Sequence, residues 1–307
     1  MSRVALYQKI LSNPSLAFRR AKRMLGNQME DAIREIAQRH IWSEVINQKE
    51  IRVVGLRRTG NHAVLTWIKK QEEGVVWAIN NVKARENPYR YKYQNLMEFF
   101  PKNKWAIERF KKQAKGELTP KDCLIYNYED YALETAISRE FEEKHDLYLG
   151  KSKKRYDLLI MRDPFNLLAS RLKKKYMPTK DKEKNCVDLW IEYAKEYVGE
   201  TQYLKYNKIC VNYNQWTKDI DYRQQIAQQL DLEFSDAGIN TVSGCGGGSS
   251  FEGRALDGQA TQLDVGNRWK HFCENDVYRQ LFDNEELWFY SEKIFGHIPG
   301  TETLRMN

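Results

Sequence analysis

After residue 50 the chain alternates short apolar runs with longer amphipathic stretches, and no other feature constrains its fold as tightly. Helices inserted between apolar strands imply parallel crossovers, and hence a buried parallel sheet with helices covering it. The candidate strands are Ile51 to Gly55, Val75 to Ile79, Cys123 to Tyr128, Leu158 to Met161 and Lys208 to Tyr213. Between the last two, Val187, Trp190, Ile191, Ala194, Tyr197 and Val198 recur at helical spacing and mark an amphipathic packing helix. The expectation is one three-layer α/β domain over residues 49–307, and the chain's 307 residues, 41% of them apolar, are ample for its core.

Residues 1–48 read as an N-terminal helical extension. Ser12 and Asn13 can cap a helix running from Pro14 to Trp42, Pro14 suits its first turn, and Ile33, Ile36 and Ala37 share a face. Its basic cluster, Arg19, Arg20, Lys22 and Arg23, suits anionic lipid or polymer, although a solvated helix face is the more ordinary reading. The stretch from Asn80 to Pro120 lacks a sheet pattern and reads as helices and loops over the sheet. Ser243 to Ser250, holding Gly244, Gly246, Gly247 and Gly248, reads as a loop or lid.

The excess of 50 Lys and Arg over 42 Asp and Glu gives a net charge of +8 and favours an anionic partner without choosing among nucleotide, nucleic acid, acidic polymer and membrane surface. The five cysteines, Cys123, Cys186, Cys210, Cys245 and Cys273, are odd in number and form no Cys-x-x-Cys pair, which points to a reducing cytoplasm and to no metal site. The first residues lack the apolar stretch of a signal peptide, and no window holds the roughly 18 apolar residues of a membrane span.

Two segments carry chemistry. Val53-Val54-Gly55-Leu56-Arg57-Arg58-Thr59-Gly60-Asn61-His62-Ala63 reads as strand, tight turn and helix start, which aims backbone N–H groups and a helix dipole at one point. Arg58 and Thr59 add a cation and a hydroxyl. The Gly-Lys-Ser/Thr of ordinary triphosphate loops is missing, which weakens an NTPase reading, and a plain turn with two surface arginines is the alternative. In the second segment, Arg162 ends an apolar strand, Pro164 opens a helix, and Ser170 follows eight residues later. A guanidinium fork and a hydroxyl at that spacing can meet on one anion. Equally, Arg162 can pair with Asp163 while Ser170 packs.

Together these segments resemble the PAPS-dependent sulfotransferase superfamily, PAPS being 3′-phosphoadenosine 5′-phosphosulfate. Arg58-Thr59-Gly60 looks like the family's 5′-phosphosulfate loop, and Arg162 with Ser170 looks like its 3′-phosphate motif. Val211-Asn212-Tyr213 resembles a late strand bearing a Tyr near the nucleotide, and Gly266-Asn267-Arg268-Trp269-Lys270 resembles a C-terminal Gly-x-x-Trp-Lys segment. Asn61 and His62 depart from the family's hydroxyl residues. The Gly244 to Ser250 loop lacks the usual Arg-Lys-Gly core, leaving Ser249 and Ser250 as donors there.

The resemblance implies a P-loop type nucleotide-binding fold, PAPS as co-substrate without a metal, and an acceptor hydroxyl or amine on a saccharide, peptide or small metabolite. It makes Arg58 the cation at the leaving oxygen and assigns the 5′-phosphate to the loop from Arg57 through Thr59, Gly60, Asn61 and His62 to Ala63. Arg162 and Ser170 take the 3′-phosphate, and Tyr213 lies near the nucleotide, although core packing explains it nearly as well. The general base is expected at Glu129, with Glu86 and His62 as alternatives, and each of these also has a plain structural reading. Trp67, at helical spacing after Val64, reads as core.

Two competing readings remain. One is a nucleotide kinase or NTPase with a degenerate loop. The other is a non-enzymatic polyanion- or RNA-binding protein, drawn from the 18 Tyr, the 8 Trp and the strip Tyr89-Arg90-Tyr91-Lys92-Tyr93. The absence of any wider pattern of exposed aromatics and cations argues against nucleic acid as the partner.

Overall fold

The computed structural model describes residues 14–37, 44–244 and 247–305. At its centre five parallel strands, β1 (Val45–Gly55), β2 (Val76–Ile79), β3 (Lys121–Glu129), β4 (Lys151–Met161) and β5 (Ile209–Asn212), lie in the order β2-β3-β1-β4-β5. Each expected strand is present. β1 and β4 begin several residues earlier than their apolar runs, in polar stretches where Glu50 meets Arg155 at 3.3 Å and also His145 at 2.8 Å; further along β1, Arg52 meets Asp157 at 2.8 Å and also Glu142.

The longer helices are α1 (Pro14–Ala37), α2 (Asn61–Gln71), α3 (Pro88–Phe99), α4 (Lys104–Ala114), α5 (Pro164–Lys173), α6 (Cys186–Tyr197), α7 (Ile220–Gln229) and α8 (Glu285–Phe295). Successive strand residues face opposite sides, so Val53 and Val54 enter different cores. Residues of α2 and α7 pack on one face with Trp67 and Trp216, and residues of α5, α6 and α8 pack on the other. Trp67 is a core residue, edge-on to Trp216 at 5.9 Å.

β5 stops at Asn212, whose side chain accepts from the Gln215 N–H, so Tyr213 opens a short helical turn instead of ending the strand. The span from Asn80 to Pro120 contains α3 and α4. Its Tyr89 to Tyr93 strip lies in the first turns of α3, with Tyr89 buried, Arg90 bound to Glu30 and Asp31, and Tyr91 and Tyr93 half-buried. The boundary expected at residue 48 falls inside β1. The capping pair Ser12 and Asn13, the helix end at Trp42, Cys245 and Gly246, and the side chains of Arg19, Arg20 and Arg23 lie outside the described residues. Among the described residues no helix is long and apolar enough to cross a membrane.

Candidate functional site

The order of the sheet reverses beside β1, between crossovers toward β3 and β2 and crossovers toward β4 and β5, and open α/β folds bind ligands at the carboxyl ends of such strands. Gly55 and Met161 end β1 and β4 at this point. The chain leaves Gly55 through a turn in which Arg58 has φ 75° and Gly60 φ 101°. A Cβ at Gly60 would lie 2.1 Å from the Tyr213 ring, so only glycine closes this turn. No side chain caps α2, and its first turn, Asn61, His62 and Ala63, lines a cavity of about 430 Å³. The positive end of the helix therefore faces that space.

Thr59 differs from expectation. Its hydroxyl sits inside the turn, 2.8 Å from the Leu56 carbonyl and 2.6 Å from Asn61 Oδ1, and it is not part of the cavity wall. Asn61 is also engaged, donating to the Leu56 carbonyl and, at 3.1 Å, to Glu129. The Arg57, Thr59 and Ala63 N–H groups are bonded to Asp130, Leu56 and Gly60, so the donors this segment offers an anion are the remaining loop N–H groups and Arg58. Buried Asp130 holds the loop, accepting from the Arg57 N–H at 2.9 Å and from Arg171 at 2.6 Å, while Arg171 also donates to the Arg57 carbonyl.

The second anion group forms where β4 meets α5. Asp163 caps α5 by accepting from the Asn166 N–H, and two turns on Ser170 faces back to the strand end. Arg162 and Ser170 meet as expected, with Nη1 3.3 Å from Oγ. A third arginine joins them: Arg268 donates to Ser170 at 3.2 Å and to Ser249 at 2.9 Å. Asn166 positions it by accepting its backbone N–H at 2.8 Å. The sequence reading marked the Gly266 to Lys270 segment but assigned Arg268 no role.

Arg58, Arg162 and Arg268 thus approach from three separate segments. Burial, reinforced by repulsion from Arg162, lowers the pKa of Arg58, and the same two causes bring Arg268 down to about 10. Burial also lowers that of Arg162, against the pull of Asp163. Protein groups occupy part of their donor capacity: Arg58 donates to the Gly248 carbonyl, Arg162 to the Val265 carbonyl, and Arg268 lies 3.5 Å from Glu252. Among the described residues, buried Nε of Arg58, Nε of Arg268 and Oγ of Ser250 have no hydrogen-bond partner. Crowded cations with few counter-charges and idle donors favour an anion of more than one charge.

Glu129, the last residue of β3, lines the same cavity, accepting from Asn61 and Asn127, with Arg57 Nε 3.7 Å away. His62 is half-buried beside it; burial lowers its pKa, Glu129 raises it and Arg58 lowers it. Glu86 is not in the wall and pairs with Lys83. Tyr213 stacks on Trp216 at 5.7 Å, and both line the cavity, as does Ser249; Ser250 does not.

No family model matches the sequence, and no curated protein matches it. In three dimensions the chain is similar to the sulfotransferase domain of the Synechococcus PCC 7002 olefin synthase, with a TM-score of 0.52, 12% identity, and coverage of 83% of this chain and 98% of that one. The mouse sulfotransferase SULT7A1, solved with PAP, aligns with a TM-score of 0.42 and 13% identity over 84% of this chain and 92% of its own. The central parallel sheet with helices on both faces is a sulfotransferase-like α/β fold.

Proposed function

We propose that this chain is a sulfotransferase that moves a sulfuryl group from PAPS to a hydroxyl or amine acceptor. The observation that carries the reading is that Arg58, Arg162 and Arg268 line one cavity with Glu129 and Ser249, while Arg162 and Arg268 both meet Ser170, which is fully buried and not part of the cavity wall. A bisphosphorylated nucleotide matches two anion subsites. The first turn of α2 and Arg58 hold the 5′-phosphosulfate end; Arg162, Ser170 and Arg268 hold the 3′-phosphate, with Ser249 donating from the loop. The cavity's volume of about 430 Å³ lies within the ordinary range for small-molecule sites, and the Tyr213–Trp216 stack gives it an aromatic wall.

In the reaction the acceptor oxygen gives its proton to the Glu129 carboxylate and forms a bond to sulfur. The bond from sulfur to the bridging oxygen breaks, and the electron pair leaves on the 5′-phosphate of 3′-phosphoadenosine 5′-phosphate. Charge grows on that oxygen, and Arg58, fixed by its bond to Gly248, stabilises it. His62, kept neutral by burial, is the alternative proton acceptor.

Incubation with PAPS and a panel of hydroxyl acceptors, read as formation of the bisphosphate product, tests the reading. The parent turns over PAPS in an acceptor-dependent way, Arg58→Ala lowers the rate roughly 10²- to 10³-fold, and Glu129→Gln loses the acceptor-dependent part. Consumption of ATP with PAPS untouched would overturn the assignment.

A further inference from the structure

α1 is mounted the wrong way round for a helix of a globular domain. The face that buries is polar: Asp31 accepts from Arg90 at 2.7 Å and from Tyr148 at 2.9 Å, and Arg34 donates to the carbonyls of Ala114 and Leu147. The face turned to solvent is apolar. Phe18, Leu25, Met29, Ile33 and Ile36, spaced by seven, four, four and three residues, fall on one stripe and are each between 62% and 79% exposed.

A second apolar patch stands at the α3–α4 connection, where Met97, Phe99, Phe100 and Trp105 are 55% to 70% exposed. The two patches share a support, because Glu30 and Asp31 hold the first turn of α3 through Arg90 while Arg34 reaches the end of α4.

Charge identifies the occupant. By sequence, the first half of α1 carries Arg19, Arg20, Lys22 and Arg23 and no acidic residue before Glu30, and Lys102 and Lys104 stand at the α3–α4 connection. Apolar and aromatic side chains bordered by cations match the headgroup boundary of an anionic bilayer, into which Phe, Leu and Trp enter while Lys and Arg meet lipid phosphates. We propose that α1 and the α3–α4 connection dock the protein on the surface of an anionic membrane.

Co-flotation of the full chain with phosphatidylcholine/phosphatidylserine vesicles, against phosphatidylcholine alone, tests this, with light scattering alongside. The parent floats with the anionic vesicles. The triple variant Leu25→Glu/Met29→Glu/Ile33→Glu loses at least tenfold in partitioning while its thermal unfolding is unchanged, because these side chains are 62% to 67% exposed. Phe99→Ser/Trp105→Ser weakens flotation separately. Flotation of the triple variant equal to the parent, or no flotation of the parent at low salt, overturns the proposal. A parent dimer that the triple variant turns into a monomer also overturns it, by giving the stripe to a second copy.

Discussion

Gly60 holds a φ of 101° with its Cα against the Tyr213 ring, so a single methyl group there must move either the loop or the aromatic stack. Gly60→Ala is expected to destabilise the fold by on the order of 2 kcal/mol, from left-handed strain and overpacking, and to weaken binding of 3′-phosphoadenosine 5′-phosphate at least tenfold. Urea unfolding and calorimetry measure the two effects, and an unchanged affinity would separate the loop from the nucleotide site. At this scale the meeting of Arg162 with Ser170 was legible because an arginine at a strand end and a serine eight residues on, two turns into the next helix, come within reach of each other. Thr59 was misjudged because which way a hydroxyl turns inside a tight loop depends on Asn61, two residues on. Arg268 was passed over because it lies 98 residues from Ser170, and only the folded chain brings them together.

Among the elements, the turn after β1 and α5 are joined by the buried Asp130–Arg171 pair, at 2.6 Å with both side chains fully buried. Asp130→Asn leaves the Arg171 charge uncompensated and is expected to cost about 3–5 kcal/mol in urea unfolding. Asp130→Asn/Arg171→Met recovers a large share of that loss, because the double change removes the buried charge as well. A single variant as stable as the parent would show that the pair does not anchor the loop. The strands were legible as elements because apolar runs bounded by turns need no tertiary information. Their full lengths were not, since the leading halves of β1 and β4 are polar. The outward apolar face of α1 was equally hidden: the spacing of Ile33 and Ile36 shows that they share a face, but not which way it points.

For the whole molecule, the charge cluster at the leading ends of β1 and β4 ties stability to pH. Burial alone would lower the His145 pKa, but Glu50 and Asp146 hold it up at about 8. A folded value above the unfolded value of about 6.5 means that His145 contributes stability, on the order of 2 kcal/mol, that is complete below about pH 6.5 and lost as pH rises through about 8. Lys121, brought down to about 7 by burial and by Arg109, contributes the opposite slope at higher pH, so the difference between parent and His145→Gln is the readout. The parent is expected to melt a few degrees higher than the variant at pH 6, with the gap narrowing by pH 9. A gap that does not change with pH would contradict the raised value. The proposed donor site is tested by calorimetric titration of 3′-phosphoadenosine 5′-phosphate against ADP and ATP on the parent, Arg162→Ala and Arg268→Ala. The bisphosphate is expected to bind in preference to ADP and ATP, and each variant to lose about 10- to 100-fold, as for a charge-assisted hydrogen bond to phosphate; equal binding of ATP, or variants that bind like the parent, would contradict a sulfuryl-donor site.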